Sequence, residues 1–317
     1  MEWIEVEIEE ADFSFKGYET GGKYMDAVIR EILKKNEINE AFIKLETHGI
    51  ANEIYATPNF ILRIPTEHPE ANADAYTESV AAPLAKSIGI KTPKMICFDD
   101  SYTVLDRTYS IWERIHGSTL GELDNYLNFY HTWYEIGCEL GKLHVSIKKC
   151  DDPKGWLDSP DREYTKEMLI EGVLARDNYV DKHRNQSAYL LKLIECKFTD
   201  ETFFYEKCFV HGDTNIFNFL CTPNDQLLSI IDWGDAGWAD PAIDFYRVPV
   251  EVLDTVLDGY TQMASINVDS HFIYRLIFDK IWTAIEEKQD LFGLEDQIMI
   301  LEKNLLKKMR QISINPL

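Results

Sequence analysis

Three oxygen-bearing side chains crowd one short stretch of the 317-residue chain: Asp213, Asn218 and Asp232. The stretch, 209–245, reads FVHGDTNIFNFLCTPNDQLLSIIDWGDAGWADPAIDF. Apolar runs at 217–221 and 227–231 flank Thr222-Pro223-Asn224-Asp225-Gln226, the pattern of a β-hairpin with a longer loop. Pairing about the turn sets Asn218 nearly opposite Ile230 and Ile231, so Asn218 and Asp232 meet at the hairpin's open end. Asp213 lies on the loop that feeds the hairpin. A carboxylate beside an amide oxygen suits a hard cation such as Mg²⁺, completed by phosphate oxygens and water. The second carboxylate is left to accept a proton.

The same residues carry a resemblance. His211-Gly212-Asp213 followed by Asn218 resembles the catalytic loop H-x-D-x-x-x-x-N of protein-kinase-like enzymes, in the H-G-D form of aminoglycoside and choline phosphotransferases. Ile231-Asp232-Trp233-Gly234 is similar to their metal-binding D-F-G segment, and Asp240-Pro241-Ala242-Ile243-Asp244-Phe245 to the D-P-x-x-D segment that follows. The likeness extends over about 40–290 and is dense only at 205–246. It implies a phosphotransferase that moves the γ-phosphate of ATP or GTP to a hydroxyl of a small molecule, with Mg²⁺ as cofactor. Asp213 is then the catalytic base or orienting group, and Asn218 and Asp232 hold the metal. His211 braces the loop, and Asp244 caps a helix or braces the same loop. Asp235 is a turn residue or binds a cation on the acceptor.

Upstream, Phe60-Ile61-Leu62-Arg63-Ile64-Pro65 reads as an apolar strand with one cation inside it. Such a cation needs a partner. In the family this strand carries the Lys or Arg that touches nucleotide phosphates, held by a Glu on the next helix; Glu78 matches. Arginine supplies a forked, permanently charged donor. Strand patterns at 41–46, 52–56 and 60–64 form a meander whose first loop, His48-Gly49-Ile50-Ala51, stands where the family covers the phosphates; only Gly49 there is glycine. The strand within 104–115 resembles the hinge between lobes. Its register points the Trp112 carbonyl and the Arg114 amide at a nucleotide base.

Composition narrows the partners. Asp and Glu number 55 against 32 Lys and Arg, a net charge of −23. That field disfavours nucleic acid and draws a cationic small molecule. An acidic surface that only confers solubility explains it equally well. With 45% hydrophobic residues a full core is available. No apolar stretch is long enough to span a membrane, and the acidic start MEWIEVEIEE is unlike a signal peptide. Six scattered cysteines read as reduced thiols in the cytoplasm.

The remaining elements must hold these residues in place. Residues 2–9 alternate as a strand, 22–35 have a helical apolar face, and 72–86 is a helix that Pro83 should kink or split. From 123 onward the pattern is helical: 128–147 ending in Leu140-Gly141-Lys142-Leu143-His144, then 164–179, 187–198, 250–263, 272–288 and 294–310, with an irregular loop at 148–162. The fold expected is α+β, bilobal and protein-kinase-like. Residues 1–115 make an antiparallel-sheet, nucleotide-binding lobe, and 116–317 a mainly helical lobe with the acceptor site.

Several acceptors fit. The aminoglycoside phosphotransferases are the nearest resemblance, and an antibiotic-resistance role rests on that alone. A kinase for a housekeeping metabolite (an amino alcohol, sugar or hydroxylated amino acid) or for a macrolide is the alternative. A nucleotide-binding scaffold without activity is disfavoured because every metal and base position is filled. Monomer and dimer both stay open.

Overall fold

The computed structural model describes residues 20–46, 51–68, 70–152, 154–157, 165–179, 188–264, 268–287 and 294–303. Helix α1 (Thr20–Lys35) leads into strands β1 (Ile43–Leu45), β2 (Asn52–Ala56) and β3 (Phe60–Pro65). Helix α2 (Ala71–Ser87) and strands β4 (Met95–Asp99) and β5 (Tyr109–Glu113) follow. The five strands form one antiparallel sheet in the order β1-β2-β3-β5-β4. The pleat of β3 sorts its side chains between two faces. Leu62 and Ile64 enter a core with Ile29 and Ile32 of α1, while Ile61 and Arg63 face α2.

Pro83 does not split α2, which runs unbroken through it. Proline forfeits one main-chain bond. Ala81, Ala82 and Ala85, all buried on the same helix, keep the turns on either side packed against the core.

Beyond the sheet come β6 (Ser118–Thr119), α3 (Tyr130–Ser146), α4 (Lys166–Tyr179) and α5 (Ala188–Lys197). Then follow β7 (Cys208–Val210), β8 (Phe219–Thr222), β9 (Gln226–Ile230) and β10 (Gly237–Ala239). Helices α6 (Val250–Met263), α7 (Ser270–Glu286) and one over 294–303 complete the described chain. Strands β6, β8 and β9 make a small antiparallel sheet, and β7 pairs with β10. The expected helices are all present with ends shifted by a few residues. The strand expected at 2–9, Gly49 and the far end of the last helix lie outside the described residues. No described helix is long and apolar enough to cross a membrane.

Helices α3 and α6 meet backbone to backbone. A Cβ on Gly137 would collide with Val256 O, and one on Gly259 with Tyr134 O. The closeness has a use, because α3 ends in His144 and α6 carries Tyr260, and the two side chains meet at 3.0 Å. Gly137→Ala therefore sets two effects against each other. Alanine favours the helix by about 1 kcal/mol. The added methyl meets backbone that cannot yield, and overpacking of that kind costs about 1–3 kcal/mol. Urea denaturation should show a net loss of stability for Gly137→Ala; a gain would contradict this account of the packing.

Candidate active site

The hairpin forms as its turn residues dictate. Asp225 takes φ 60, a left-handed conformation that Asp tolerates. Its carboxylate accepts from His131 N and Thr132 N at 3.0 and 2.8 Å, which pins the turn to the start of α3. Phe219 pairs with Ile230, and Ile231 N donates to Asn218 O at 2.9 Å, closing the open end. Asn218 and Asp232 are thereby neighbours. Asp232 has φ 67, a strained backbone for a residue with a side chain.

Asp213 joins them through hydrogen bonds. Asn218 Nδ2 donates to Asp213 O at 2.8 Å and to Oδ2 at 3.0 Å. Asn215 Nδ2 donates to the same Oδ2 at 2.7 Å. These bonds turn the Asn218 amide nitrogen toward Asp213 and leave its oxygen for another partner. Asp213 Oδ1 is buried and has no hydrogen-bond partner.

Arg63 ties the sheet to this centre. Its Nη1 donates to Glu78 Oε1 on α2 at 2.5 Å, and its Nη2 to Asp232 Oδ1 at 2.7 Å. Burial raises the Glu78 carboxyl to about 7 against the pull of Arg63. Burial also pushes Asp232 upward, but Arg63 outweighs it and holds that carboxyl below the usual range.

The loop bearing Asp213 hangs from one buried carboxylate. Asp244 accepts from His211 N at 2.9 Å, Gly212 N at 2.8 Å and His144 Nε2 at 3.0 Å. His211 Nε2 donates to Ile231 O at 3.0 Å, fastening the loop to the hairpin. Gly212 has φ 88, and a Cβ there would strike Asp235 O, so only glycine fits. Asp240 accepts from Ala242 N and pairs with Arg275 Nε at 2.6 Å.

Two cavities adjoin the loop. A cleft of about 950 Å³ has Arg63, Asp213, Asn218 and Asp232 on its wall. A second cavity of about 460 Å³ lies on the other side of Asp213, lined by Tyr205, Asp235, Trp238, Arg275 and Asp279 among others. Asp213 faces both.

Not every expected residue joins. Gly49 lies outside the described residues. The Arg114 amide donates to Asn59 O at 2.9 Å and its Nη1 to Thr57 O at 2.6 Å, so that amide is committed to the main chain and does not face a nucleotide. The Trp112 side chain is buried, its Nε1 bonded to Ser110 Oγ. Arg247 was not anticipated. Its Nε lies 3.3 Å from Asp213 Oδ1, and the sequence signal is a lone cation two residues after the D-P-x-x-D phenylalanine.

The donor set suits Mg²⁺. Asn218 and Asp232 offer hard oxygens only. Among the described residues, no group of three or more His, Cys, Asp and Glu could hold a metal unaided. Magnesium is ordinarily held in this way, by one or two protein oxygens with phosphates and water completing the shell.

Comparison with known proteins agrees. Residues 42–268 match the phosphotransferase enzyme family, APH. The chain belongs to that family. This phosphotransferase has the α+β, protein-kinase-like fold expected from its sequence. It is similar to the GDP complex of wild-type aminoglycoside 2′-phosphotransferase-IIIa, at 15% identity and TM-score 0.61 over 92% of this chain and 100% of that one. It is also similar to ADP-bound APH(2″)-Ib, at 18% identity and TM-score 0.53 over 87% and 96%. A streptomycin–ATP ternary complex of APH(2″)-IIa aligns at 17% identity and TM-score 0.55 over 90% and 97%. No curated protein sequence matches.

Asp74 of α2 gives the phosphotransferase a pH dependence. Burial, with Asp235, Asp232 and Glu70 adding to it, raises its carboxyl to about 6. A raised carboxyl keeps its proton longer in the folded state. The stability this contributes is complete below the unfolded value of about 3.9 and is lost as pH rises through about 6. Asp74→Asn is neutral throughout. It should melt above the native enzyme at pH 7.5 and lose most of that advantage as pH falls toward the unfolded value; a difference independent of pH would refute the assignment.

Proposed function

We propose that this phosphotransferase moves the γ-phosphoryl group of ATP or GTP to a hydroxyl of a small, cationic acceptor of the aminoglycoside class, with Mg²⁺ as cofactor. The observation that carries the reading is the meeting of Arg63, Asp213, Asn218 and Asp232 on one cleft wall. Asp213 orients the acceptor hydroxyl and takes its proton. Asn218 and Asp232 hold the metal, which when bound neutralises phosphate charge. Arg63, kept in place by Glu78, steadies the α- and β-phosphates through its fork. Of the main-chain candidates, Gly49 stays assigned to phosphate; Trp112 pairs with Ile61 in the register of the Arg114–Asn59 bond, where antiparallel alternation turns its carbonyl into the ladder and away from a base.

The similar structures support a nucleotide donor, since they carry GDP, ADP and ATP, and one of them carries streptomycin. The acceptor lies in the cavity beyond Asp213, where Asp235 and Asp279 suit ammonium groups and Trp238 offers an aromatic face. Residues 1–115 act as the nucleotide lobe and 116–317 as the acceptor lobe. The separate core formed by α1 with the sheet supports that division. A cytoplasmic setting accords with six free cysteines.

One observation favours a second acceptor class. The same cavity also presents Lys207, Arg247 and Arg275, which suits a hydroxylated amino acid or another metabolite with an anionic group. A turnover screen with aminoglycosides, macrolides, choline, sugars and hydroxylated amino acids separates the two.

Asp213→Asn tests the central assignment. Turnover should fall by about 10²–10⁴-fold, the usual worth of a positioned general base. Mg-ATP or Mg-GTP should still raise the melting temperature of the variant, because a bound ligand stabilises the folded state. Near-native turnover in Asp213→Asn would remove the residue from the chemistry. Absence of stabilisation of the native enzyme by either nucleotide would remove the donor assignment.

A further inference from the structure

The two cavities share three lining residues, Asp213, Tyr246 and Arg247. Any group that passes from a donor in one to an acceptor in the other crosses this wall. Arg247 is its one cation. Its Nε donates to Tyr246 Oη at 2.7 Å and lies 3.3 Å from Asp213 Oδ1, and its Nη2 lies 3.6 Å from Glu287 Oε1. The segment that carries it is fixed from α7. Lys280 Nζ donates to the carbonyls on either side of Arg247, Tyr246 O at 2.6 Å and Val248 O at 3.0 Å. A guanidinium with a fastened backbone and a side chain 39% exposed is thus held over the buried face of Asp213.

We infer that Arg247 is a catalytic residue that meets the transferring phosphoryl group and stabilises the charge that spreads over its equatorial oxygens. The inference rests on the phosphotransferase reading of the cleft. In the transfer, the acceptor oxygen bonds to the γ-phosphorus as the bond from phosphorus to the β,γ-bridging oxygen breaks. That oxygen keeps the electron pair and departs on the nucleoside diphosphate. The hydroxyl proton passes to Asp213. Negative charge thereby arrives at the junction of the cavities and leaves toward the donor side. Arg63 attends the donor end from the sheet, and Arg247 attends the junction from the opposite side. Before the phosphoryl group arrives, Asp213 and Glu287 hold the guanidinium. Upon arrival the group offers two oxygens to which the arginine fork donates side by side, as lysine, a point charge, cannot.

The experiment compares Mg-ADP and Mg-GDP, each with and without aluminium fluoride, on the full-length native chain and on Arg247→Ala and Arg247→Lys. Calorimetry reads the affinities, and melting temperature checks that each variant folds. The native chain should bind one diphosphate more tightly when aluminium fluoride mimics the planar phosphoryl group. Arg247→Ala should lose that increment and about 10³-fold or more in turnover, the lower end of the effect of a transition-state arginine. Its affinity for the diphosphate alone should stay within a few fold of native. Arg247→Lys should recover only part of the increment. Retention of the full increment by Arg247→Ala overturns the inference, and so does equal loss of diphosphate binding, which would mark a ground-state or structural role. Diphosphate binding by the native chain with no increment overturns the inference alone. A native chain that binds neither diphosphate overturns the nucleotide reading itself.

Discussion

The site depends on Asp244, a carboxylate with no solvent exposure. An isolated charge so placed would be strongly unfavourable. Here it collects two main-chain N–H groups of the loop and the His144 ring, all at hydrogen-bond distance, and charge-assisted bonds of this kind offset the loss of water. The dependence runs both ways. Without Asp244, His211 N and Gly212 N would be buried donors with no acceptor, and the loop would have no reason to keep its shape. His144 reaches Asp244 because α3 and α6 approach through glycines, and Tyr260 of α6 steadies its other nitrogen. A close helix crossing, a histidine, a carboxylate and a loop therefore act as one support for Asp213.

Around that support the charges are arranged to be incomplete. Arg63 faces two carboxylates, and Arg247 lies nearest Asp213 and Glu287. The carboxylates outnumber the cations at the centre. Burial first, and repulsion from neighbouring carboxylates second, raise the Glu78 and Asp74 carboxyls. A divalent cation carried in by phosphates would relieve that repulsion. The choice of arginine over lysine on β3 matters for the same reason. Only a fork can bond Glu78 with one nitrogen and Asp232 with another, coupling α2 to the carboxylate at the open end of the hairpin.

What the sequence revealed and what it concealed follow from the range of the interactions. The hairpin was legible because its register follows from a nearby turn and a period of two; Asn218 and Asp232 could be placed beside each other from spacing alone. Asp244 was legible as a brace through its motif. Arg114 was misplaced because its amide pairs with Asn59, in the turn between β2 and β3 more than fifty residues away in sequence, and no local pattern encodes that pairing. Pro83 misled because the local rule for proline in a helix ignores the buried alanines that hold α2 together. Arg247 was invisible as a functional residue. Its position is set by Lys280 of α7, and a long-range clamp onto two carbonyls leaves no signature in sequence.

The charge of the whole chain also changes meaning once the cavities are located. A net of −23 invites the idea of an acidic pocket. The cavity beyond Asp213 instead mixes signs: Asp213, Asp235, Asp240 and Asp279 share it with Lys207, Arg247 and Arg275. Asp240 is already paired with Arg275 and serves as a cap, and Asp213 already faces Arg247. Most of the acidic excess therefore lies elsewhere on the molecule, where it acts through a field screened within about 10 Å at 0.1 M salt. Such a field raises the rate at which cations approach, and it does not choose among them. Choice among cations has to come from local contacts, which the overall charge does not report.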